Sequence, residues 1–487
     1  MNPPELLKFD KDIGVAVADF YEYSMANANI IEKFEGKDTI FDFVLRRLPK
    51  TKVVGRFEYK NNTYDEVDQR NYMINMGLEQ AMAIMLECKG NENLRNYMEN
   101  VQNVQNEKFL DWAENIDFTG DVYAMKEGEL YFGLEQQMRV HEKFEEAQVY
   151  ETLLLATINP QSNVATLCND IAEVVPGKIL LEGGSRRGGS PQGTLYNSRA
   201  AIGGGFTASS NVAFGMAYDL PVGGTHGHSY VMLHSSEYDA FQAQANVSAD
   251  KVCFLLDTYN VNNAVEKVIQ LVNDEKLNHF AVRIDSGDLL EQSKYITKRL
   301  KQAGFDRNQF DIVASDDLTA FKIKELEENG AEIDKYLVGT YAVNPSKPLG
   351  GVYKLAAFYE ENELVNRGKL AEDPVKSTLP GIKQTYRISN KEGMFVKDVI
   401  ALEGEDISQY VGKDQTVEEL LIPVIKEGKQ VYENPSAKEI SQYRQERLSK
   451  LPKKYQNGEE QYPVIISDKV MTLFEQVKQE YVKLQAA

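Results

Sequence analysis

Between residues 178 and 340 the chain alternates short apolar runs with polar or glycine-rich clusters. KILLEGGSRR (178–187), DLPVGGTHGHS (219–229), VCFLLDTY (252–259), FAVRIDSGD (280–288), DIVASDDL (311–318) and KYLVGTY (335–341) share one grammar, an apolar strand that ends in polar groups. Most of the intervals have helical character, as in NNAVEKVIQLVNDEK (262–276) and GDLLEQSKYITKRLKQAG (287–304). Strands alternating with helices at intervals of about 25–40 residues predict βα units of a parallel, barrel-like sheet. Such sheets carry their sites at the C-terminal strand ends, which is where these polar clusters fall.

The flanking regions follow other patterns. DFYEYSMANANI (19–30) and MGLEQAMAIMLECK (76–89) have helical spacing, DTIFDFVLRRL (38–48) reads as a strand, and KNNTYDEVDQRN (60–71) is polar. Nothing there repeats, which predicts one α+β domain over residues 1–140. EAQVYETLLLATINPQSNVATLCNDIAEVV (146–175) is apolar at helical spacing and is expected to form two long helices. They lead into an α/β barrel domain over 141–350. In 351–487, two hairpin-like stretches, GGVYKLAAFYEENELVNRGKLAE and IPVIKEGKQVYE, precede a charged amphipathic tail that opens with SAKEISQYRQERLSK.

Composition narrows the partners. The 487 residues are 42% apolar, enough for sizeable cores. The 54 basic residues stand against 74 acidic ones, and a net charge of −20 argues against nucleic acid or an anionic membrane as partner. A small anionic substrate then needs cations concentrated locally, which singles out Arg186, Arg187, Arg199 and Arg283 beside glycine-rich turns. No run approaches the roughly 20 apolar residues that span a bilayer, and MNPPELLKFDKD lacks the pattern of a signal peptide. The expected location is cytoplasmic, with no membrane partner. Cys88, Cys168 and Cys253 are widely separated and without paired metal-ligand spacing, so reduced thiols are expected.

GGTHGHS places two of the five histidines, His226 and His228, in one glycine-rich turn. Three readings stand: a metal site, a structural pair, or an imidazole that accepts a proton or a phosphoryl group. EGGSRRGGSPQGTLYNSRAAIGGGFTASSNVA combines small residues, exposed amides and arginine forks, which suits carboxylate or phosphate. A solvated surface loop is its plain alternative. VRIDSGD brings Arg283 and Asp285 to one strand end, where Asp285 could take ribose hydroxyls or a metal through water, while Asp288 is expected to cap the next helix. Of Asp316 and Asp317, one is expected to cap and the other to face the site. Gly339 and Thr340 offer a backbone pocket of monophosphate size. Together these groups point to a phosphorylated sugar and a small anionic co-substrate.

These motifs resemble those of the nicotinate phosphoribosyltransferases, nearly end to end. DFYEYSMANA is similar to the family's TDLYxxxMA opening, FDFVLRRLP to its F-x-x-x-x-R-x-x-P strand, and EGGSRR to EFGTRR. SRAAIGGGFTASSNV, GGTHGHS, VRIDSGD, LGGVYKL and KLAEDPVKSTLPGIKQTYR follow in the family's order. The resemblance implies a mixed N-terminal domain, an irregular six-stranded parallel α/β barrel, a C-terminal segment packed back on the first domain, and a homodimer with shared active sites. It implies that nicotinate and 5-phosphoribosyl-1-pyrophosphate give nicotinate mononucleotide and pyrophosphate in NAD salvage. Mg²⁺ would be held through substrate phosphates and water, and ATP hydrolysis coupled through a phosphohistidine at His228. By the same matching Tyr21 would stack on the pyridine, and Arg186, Arg187 and Arg283 would hold carboxylate, ribose or pyrophosphate. Asp285 would bind the ribose, and Gly339 and Thr340 the 5′-phosphate. Ser210 stands where the nicotinamide-using relatives carry an aspartate, which favours the acid over the amide. Three departures are visible: Ala18 in place of the family's threonine, Gly188-Gly189 in place of Ala-Gln, and the added length of residues 56–71. The competing expectations are a phosphoribosyltransferase for another pyridine and a nucleotide-binding sensor without turnover.

Overall fold

The computed structural model describes residues 13–49, 53–59, 62–67, 71–248, 251–345, 348–371 and 376–486; MNPPELLKFDKD and parts of the 60–71 stretch lie outside them. The chain divides into two units. One runs from Val164 to Pro345, and the other joins the described residues before Val164 to those after Pro345.

The continuous unit is built on six strands: β1 (Ile179–Glu182), β2 (Ala208–Ser209), β3 (Cys253–Leu255), β4 (Phe280–Ile284), β5 (Phe310–Ala314) and β6 (Lys335–Val338). They pair in the order β3-β4-β5-β6-β1-β2, and every pair is parallel. The two edge strands, β3 and β2, are not hydrogen-bonded to each other, so the irregular barrel keeps an open seam. Phe254, Ile284, Ile312, Tyr336 and Leu180 are buried, as strands covered on both faces require. The crossovers after β3, β4 and β5 are the helices Val261–Glu275, Leu289–Gln302 and Ala320–Glu328. Their starts are capped by Asn260, Asp288 and Thr319, each accepting from a backbone N–H three residues on. Asp288 thus caps as expected, but neither Asp316 nor Asp317 does. Thr319 occupies the capping position directly before the helix, and Asp316, at φ 116°, pairs with Lys322 at 2.8 Å.

Two other expectations need correction. The run DLPVGGTHGHS forms no strand: Pro221 lacks an N–H and two glycines follow it, so the segment makes one ladder-like bond, from Gly223 N–H to the Ser209 carbonyl. The two-residue strand β2 takes the sheet position instead. The stretch 146–175 is not two long helices but a six-residue turn of helix, Phe144–Val149, followed by Glu151–Val174, which continues through Pro160. Proline removes one intrahelical bond there, yet residues 161–169 are all buried, and packing outweighs that single loss.

The discontinuous unit interleaves the two ends of the chain. Its seven-stranded sheet runs Glu363–Asn366, Gly351–Glu360, Asp38–Leu45, Gln136–Lys143, Asp121–Ala124, Ile422–Lys426, Lys429–Gln430. Asp38–Leu45 lies between Gly351–Glu360 and Gln136–Lys143, antiparallel to both. Both expected hairpins form. Glu361 and Asn362, at φ 51° and 70°, make the two-residue turn of the first, and Glu427 and Gly428, at 47° and 66°, that of the second. Residues 56–71, the added length, include part of the antiparallel hairpin Val53–Tyr59 with Asn62–Val67. A four-stranded sheet follows, Thr416–Glu419, Lys383–Ser389, Phe395–Leu402 and Val464–Ile466, and the charged tail forms the helices Ala437–Lys450 and Asp468–Ala486. No helix among the described residues is long and apolar enough to cross a membrane.

A buried ion network holds this unit together. The Arg387 side chain is fully buried; it donates to Asp398 at 2.6 Å, to the Leu130 carbonyl at 2.8 Å, and to Glu129. Glu129 also receives Arg447 at 2.8 Å, from the helix Ala437–Lys450. Replacing Arg387 by Met leaves Glu129 and Asp398 buried with too little countercharge, and should cost about 3–5 kcal/mol, read from the urea midpoint. Glu135, fully buried beside Asp398, is held well above the usual carboxylate range by burial first and Asp398 second. The stability it contributes is complete below the unfolded value near 4.5 and is lost as pH rises toward the folded value. As pH rises above that unfolded value, the Tm of the parent should therefore fall relative to that of Glu135→Gln; parallel pH curves would contradict this.

Candidate active site

Because every strand of the continuous unit is parallel, all six C-terminal ends fall along one edge. β1 ends in Glu182, whose fully buried carboxylate organises the neighbouring segments. One oxygen accepts from the Gly184 N–H and the other from Ser198 Oγ at 2.9 Å and Ser209 Oγ at 2.6 Å, while its carbonyl accepts from the Ser210 N–H at 2.8 Å. A single acidic side chain thus ties the turn after β1, the helix Pro191–Gly203 and the end of β2. Gly184 is required there: a Cβ would stand 2.4 Å from Val343 Cγ2 and 2.7 Å from the Gly339 carbonyl.

The turn after β1 is a short 3-10 segment, Ser185–Arg187. Arg186 and Arg187 are exposed and have no ion pair among the described residues, so both guanidiniums are available to an anion. Arg199 lies buried in the following helix, away from that exposed pair in environment. Ser210 is half-buried just past β2. On the opposite flank of β1, Gly339 and Thr340 sit at the end of β6, where Thr340 opens the four-residue helix Thr340–Val343.

His228 opens the helix His228–Leu233. Its Nδ1 lies 3.1 Å from Thr258 Oγ1 and its Nε2 3.6 Å from Asp285 Oδ2, so the ring spans the ends of β3 and β4. Asp257 fixes the other side: it accepts from the Asp285 N–H at 3.1 Å and from the Ser286 hydroxyl. Its second oxygen is buried without a partner. Arg283, two residues before Asp285 on β4, donates Nη2 to the His226 carbonyl at 3.1 Å. His226 itself is buried, and its Nε2 accepts from the Leu255 N–H at 3.4 Å. Burial first, then Arg283 and His228, push its pKa down to about 4, so it is neutral near pH 7. Of the two histidines, His226 is the one with a structural setting and His228 the partly exposed one.

The edge therefore brings together Arg186, Arg187, Ser210, His228, Arg283, Asp285, Gly339 and Thr340. Tyr21 belongs to the discontinuous unit, on the helix Phe20–Glu32, with its hydroxyl on Glu151 at 3.0 Å. Among the described residues no three His, Cys, Asp or Glu side chains form a metal-binding group, and none of the three cysteines is in a disulfide. Glu182, Asp257 and Thr258 were not singled out from sequence. For the last two the signal existed, since VCFLLDTY ends like VRIDSGD. For Glu182 only its place as the last residue of an apolar strand pointed inward.

Comparison with known proteins bears on this geometry. Three family models match in chain order: the nicotinate phosphoribosyltransferase N-terminal domain over residues 17–159, the nicotinate phosphoribosyltransferase family over 181–336, and the C-terminal domain over 382–474. A nicotinate phosphoribosyltransferase of Bacillus subtilis is 33% identical over 473 residues, covering 92% of each chain. One of Mycobacterium tuberculosis is 28% identical over 467 residues, covering 94% of this chain and 93% of its own. In fold, the chain is similar to the crystal structure of human nicotinic acid phosphoribosyltransferase, with a TM-score of 0.77, 23% identity, and coverage of 94% and 99%. With the motifs, the parallel sheet and these full-length matches in agreement, the chain belongs to the nicotinate phosphoribosyltransferase family.

Proposed function

We propose that the chain joins nicotinate to 5-phosphoribosyl-1-pyrophosphate in NAD salvage, releasing nicotinate mononucleotide and pyrophosphate, with ATP hydrolysis coupled through phosphorylation of His228. The observation that carries this reading is the seating of His228 between Thr258 and Asp285, on the edge that also holds Arg283 and the two unengaged guanidiniums.

In the transfer, the pyridine nitrogen forms a bond to C1 of the ribose as the bond from C1 to the pyrophosphate oxygen breaks. Positive charge develops on the sugar and negative charge on the leaving group, and fixed cations favour that state over the ground state. Arg186 and Arg187 supply them without first giving up an internal partner. Asp285 takes ribose hydroxyls, the amides of Gly339 and Thr340 take the 5′-phosphate, and Ser210 and Arg283 hold the pyridine carboxylate. Tyr21 stacks on the pyridine in active sites shared within a homodimer. The unpartnered oxygen of Asp257 and the carboxylate of Asp285 would hold Mg²⁺ together with substrate phosphates and water, and the ion would supply positive charge to the departing pyrophosphate.

In the tautomer whose Nδ1 proton is donated to Thr258 Oγ1, Nε2 of His228 keeps its lone pair. That pair attacks the γ-phosphorus of ATP, the bond to the ADP oxygen breaks, and hydrolysis later restores the imidazole. The phosphohistidine adds about two negative charges beside Asp285 and Arg283 and so shifts the local balance between substrate and product states.

Product formation is measured with nicotinate, nicotinamide and quinolinate in parallel, each with and without ATP. Nicotinate turnover raised by ATP supports the proposal; product mainly from nicotinamide overturns the choice of base, and none from any base overturns the activity. His228→Ala should abolish stimulation by ATP and leave slower synthesis; full stimulation in that variant excludes the phosphohistidine. Ser210→Asp should lower kcat/KM for nicotinate by about tenfold or more, since a second carboxylate would face the substrate's own, and should move preference toward nicotinamide.

A further inference from the structure

Tyr21 presents an exposed ring, 47% accessible, while its hydroxyl is anchored on a buried group. The anchor is Glu151, the first residue of the helix Glu151–Val174 and only 6% accessible. Its Oε2 accepts from Tyr21 at 3.0 Å and also from Gln148 Nε2, while Oε1 accepts from Lys354 Nζ at 2.8 Å. Beside it lies a second buried carboxyl, Glu22, whose Oε1 accepts from the Thr152 hydroxyl at 2.7 Å and whose Oε2 has no partner. Burial and then Glu151 and Asp19 raise the Glu22 pKa to about 8, so near pH 7 it is largely neutral. Glu151 is the member of the pair that faces the Lys354 ammonium. Burial and Glu151 also hold the Tyr21 hydroxyl well above its ordinary range, so it stays a donor.

The chemistry of the transfer gives this arrangement a use. Before reaction the pyridine nitrogen is neutral; once bonded to C1 it is quaternary, and the ring is a cation. An aromatic face stacked on that ring stabilises it more the richer the face is in electrons. A phenol that donates its proton to a carboxylate is richer than one that donates to water. We propose that Glu151 is a positioning residue that acts through Tyr21, fixing its ring plane and enriching its face so that the pyridinium of the transition state and product is favoured over the neutral ring of the substrate. This rests on the reading that Tyr21 stacks on the pyridine.

The test uses Tyr21→Phe, Glu151→Gln, the double variant and Tyr21→Ala in the full-length protein. It compares kcat and KM for nicotinate, and the dissociation constants of nicotinate and nicotinate mononucleotide. Tyr21→Phe and Glu151→Gln should each lower kcat about 3- to 10-fold with nicotinate KM within about twofold, and weaken the product more than the substrate. The double variant should be no worse than either single one. Multiplicative losses in the double variant, or an unchanged ratio of product to substrate affinity, overturn the proposal. Tyr21→Phe removes the same bond from the exposed side, so a failure of Glu151→Gln to fold leaves the product-to-substrate ratio of Tyr21→Phe to decide. If Tyr21→Ala alters neither turnover nor the affinity of either pyridine, the stacking reading itself fails. If Tyr21→Ala is impaired while Tyr21→Phe matches the parent, stacking stands and the role of Glu151 falls.

Discussion

Parallel pairing is the constraint on which the candidate site depends. When every strand in a sheet runs the same way, all carboxyl ends open on one side and the returning crossovers occupy the faces. The six strands of the continuous unit therefore deliver their terminal polar groups to one edge, whatever the spacing of those groups in sequence. His228 can rest on Thr258 and Asp285 because β3 and β4 are adjacent and in register, Leu255 opposite Arg283. Glu182 can reach Ser209 because β1 and β2 pair at their last residues.

Charge at this edge is arranged by contrast with the rest of the molecule. The chain carries a net charge of −20, yet Arg186 and Arg187 have no ion pair among the described residues, whereas Arg387 and Arg447 in the other unit are buried against carboxylates. A paired arginine is part of the fold and would leave a buried charge if drawn away. An unpaired one gives up only water when an anion arrives. The acidic groups at the edge are likewise divided: the carboxylate of Glu182 is consumed by three donors, while Asp257 keeps one oxygen without a partner.

Much of this was legible from residues alone. Five of the six strand runs could be read because each is a short apolar stretch closed by a polar cluster, and Asp288 because it precedes a periodic helix directly. Ala208–Ser209 could not, since two small residues carry no pattern and become a strand only by pairing with β1. The unbroken helix through Pro160 was hidden for the opposite reason: a local signal to stop was overruled by burial that the local sequence does not display. Arg186 and Arg187 were visible as residue types, but their freedom from partners is a property of the folded chain. The chemistry of the edge pointed unaided to a sugar phosphate and an anion; the identity of the pyridine came from the family motifs.

The interleaved sheet also sets an order of events at the ribosome. Asp38–Leu45 needs Gly351–Glu360 as its neighbour, and 305 residues separate the end of one from the start of the other. At about 5–20 residues per second that strand waits on the order of 15–60 s with one edge unpaired. The stretch from Val164 to Pro345 emerges whole in the meantime and has all its strand partners within itself. Nascent chains of this protein should therefore pass through a stage in which the edge of C-terminal strand ends is already formed while the N-terminal strands still require protection from their own kind, a burden that falls on chaperones and not on the finished fold.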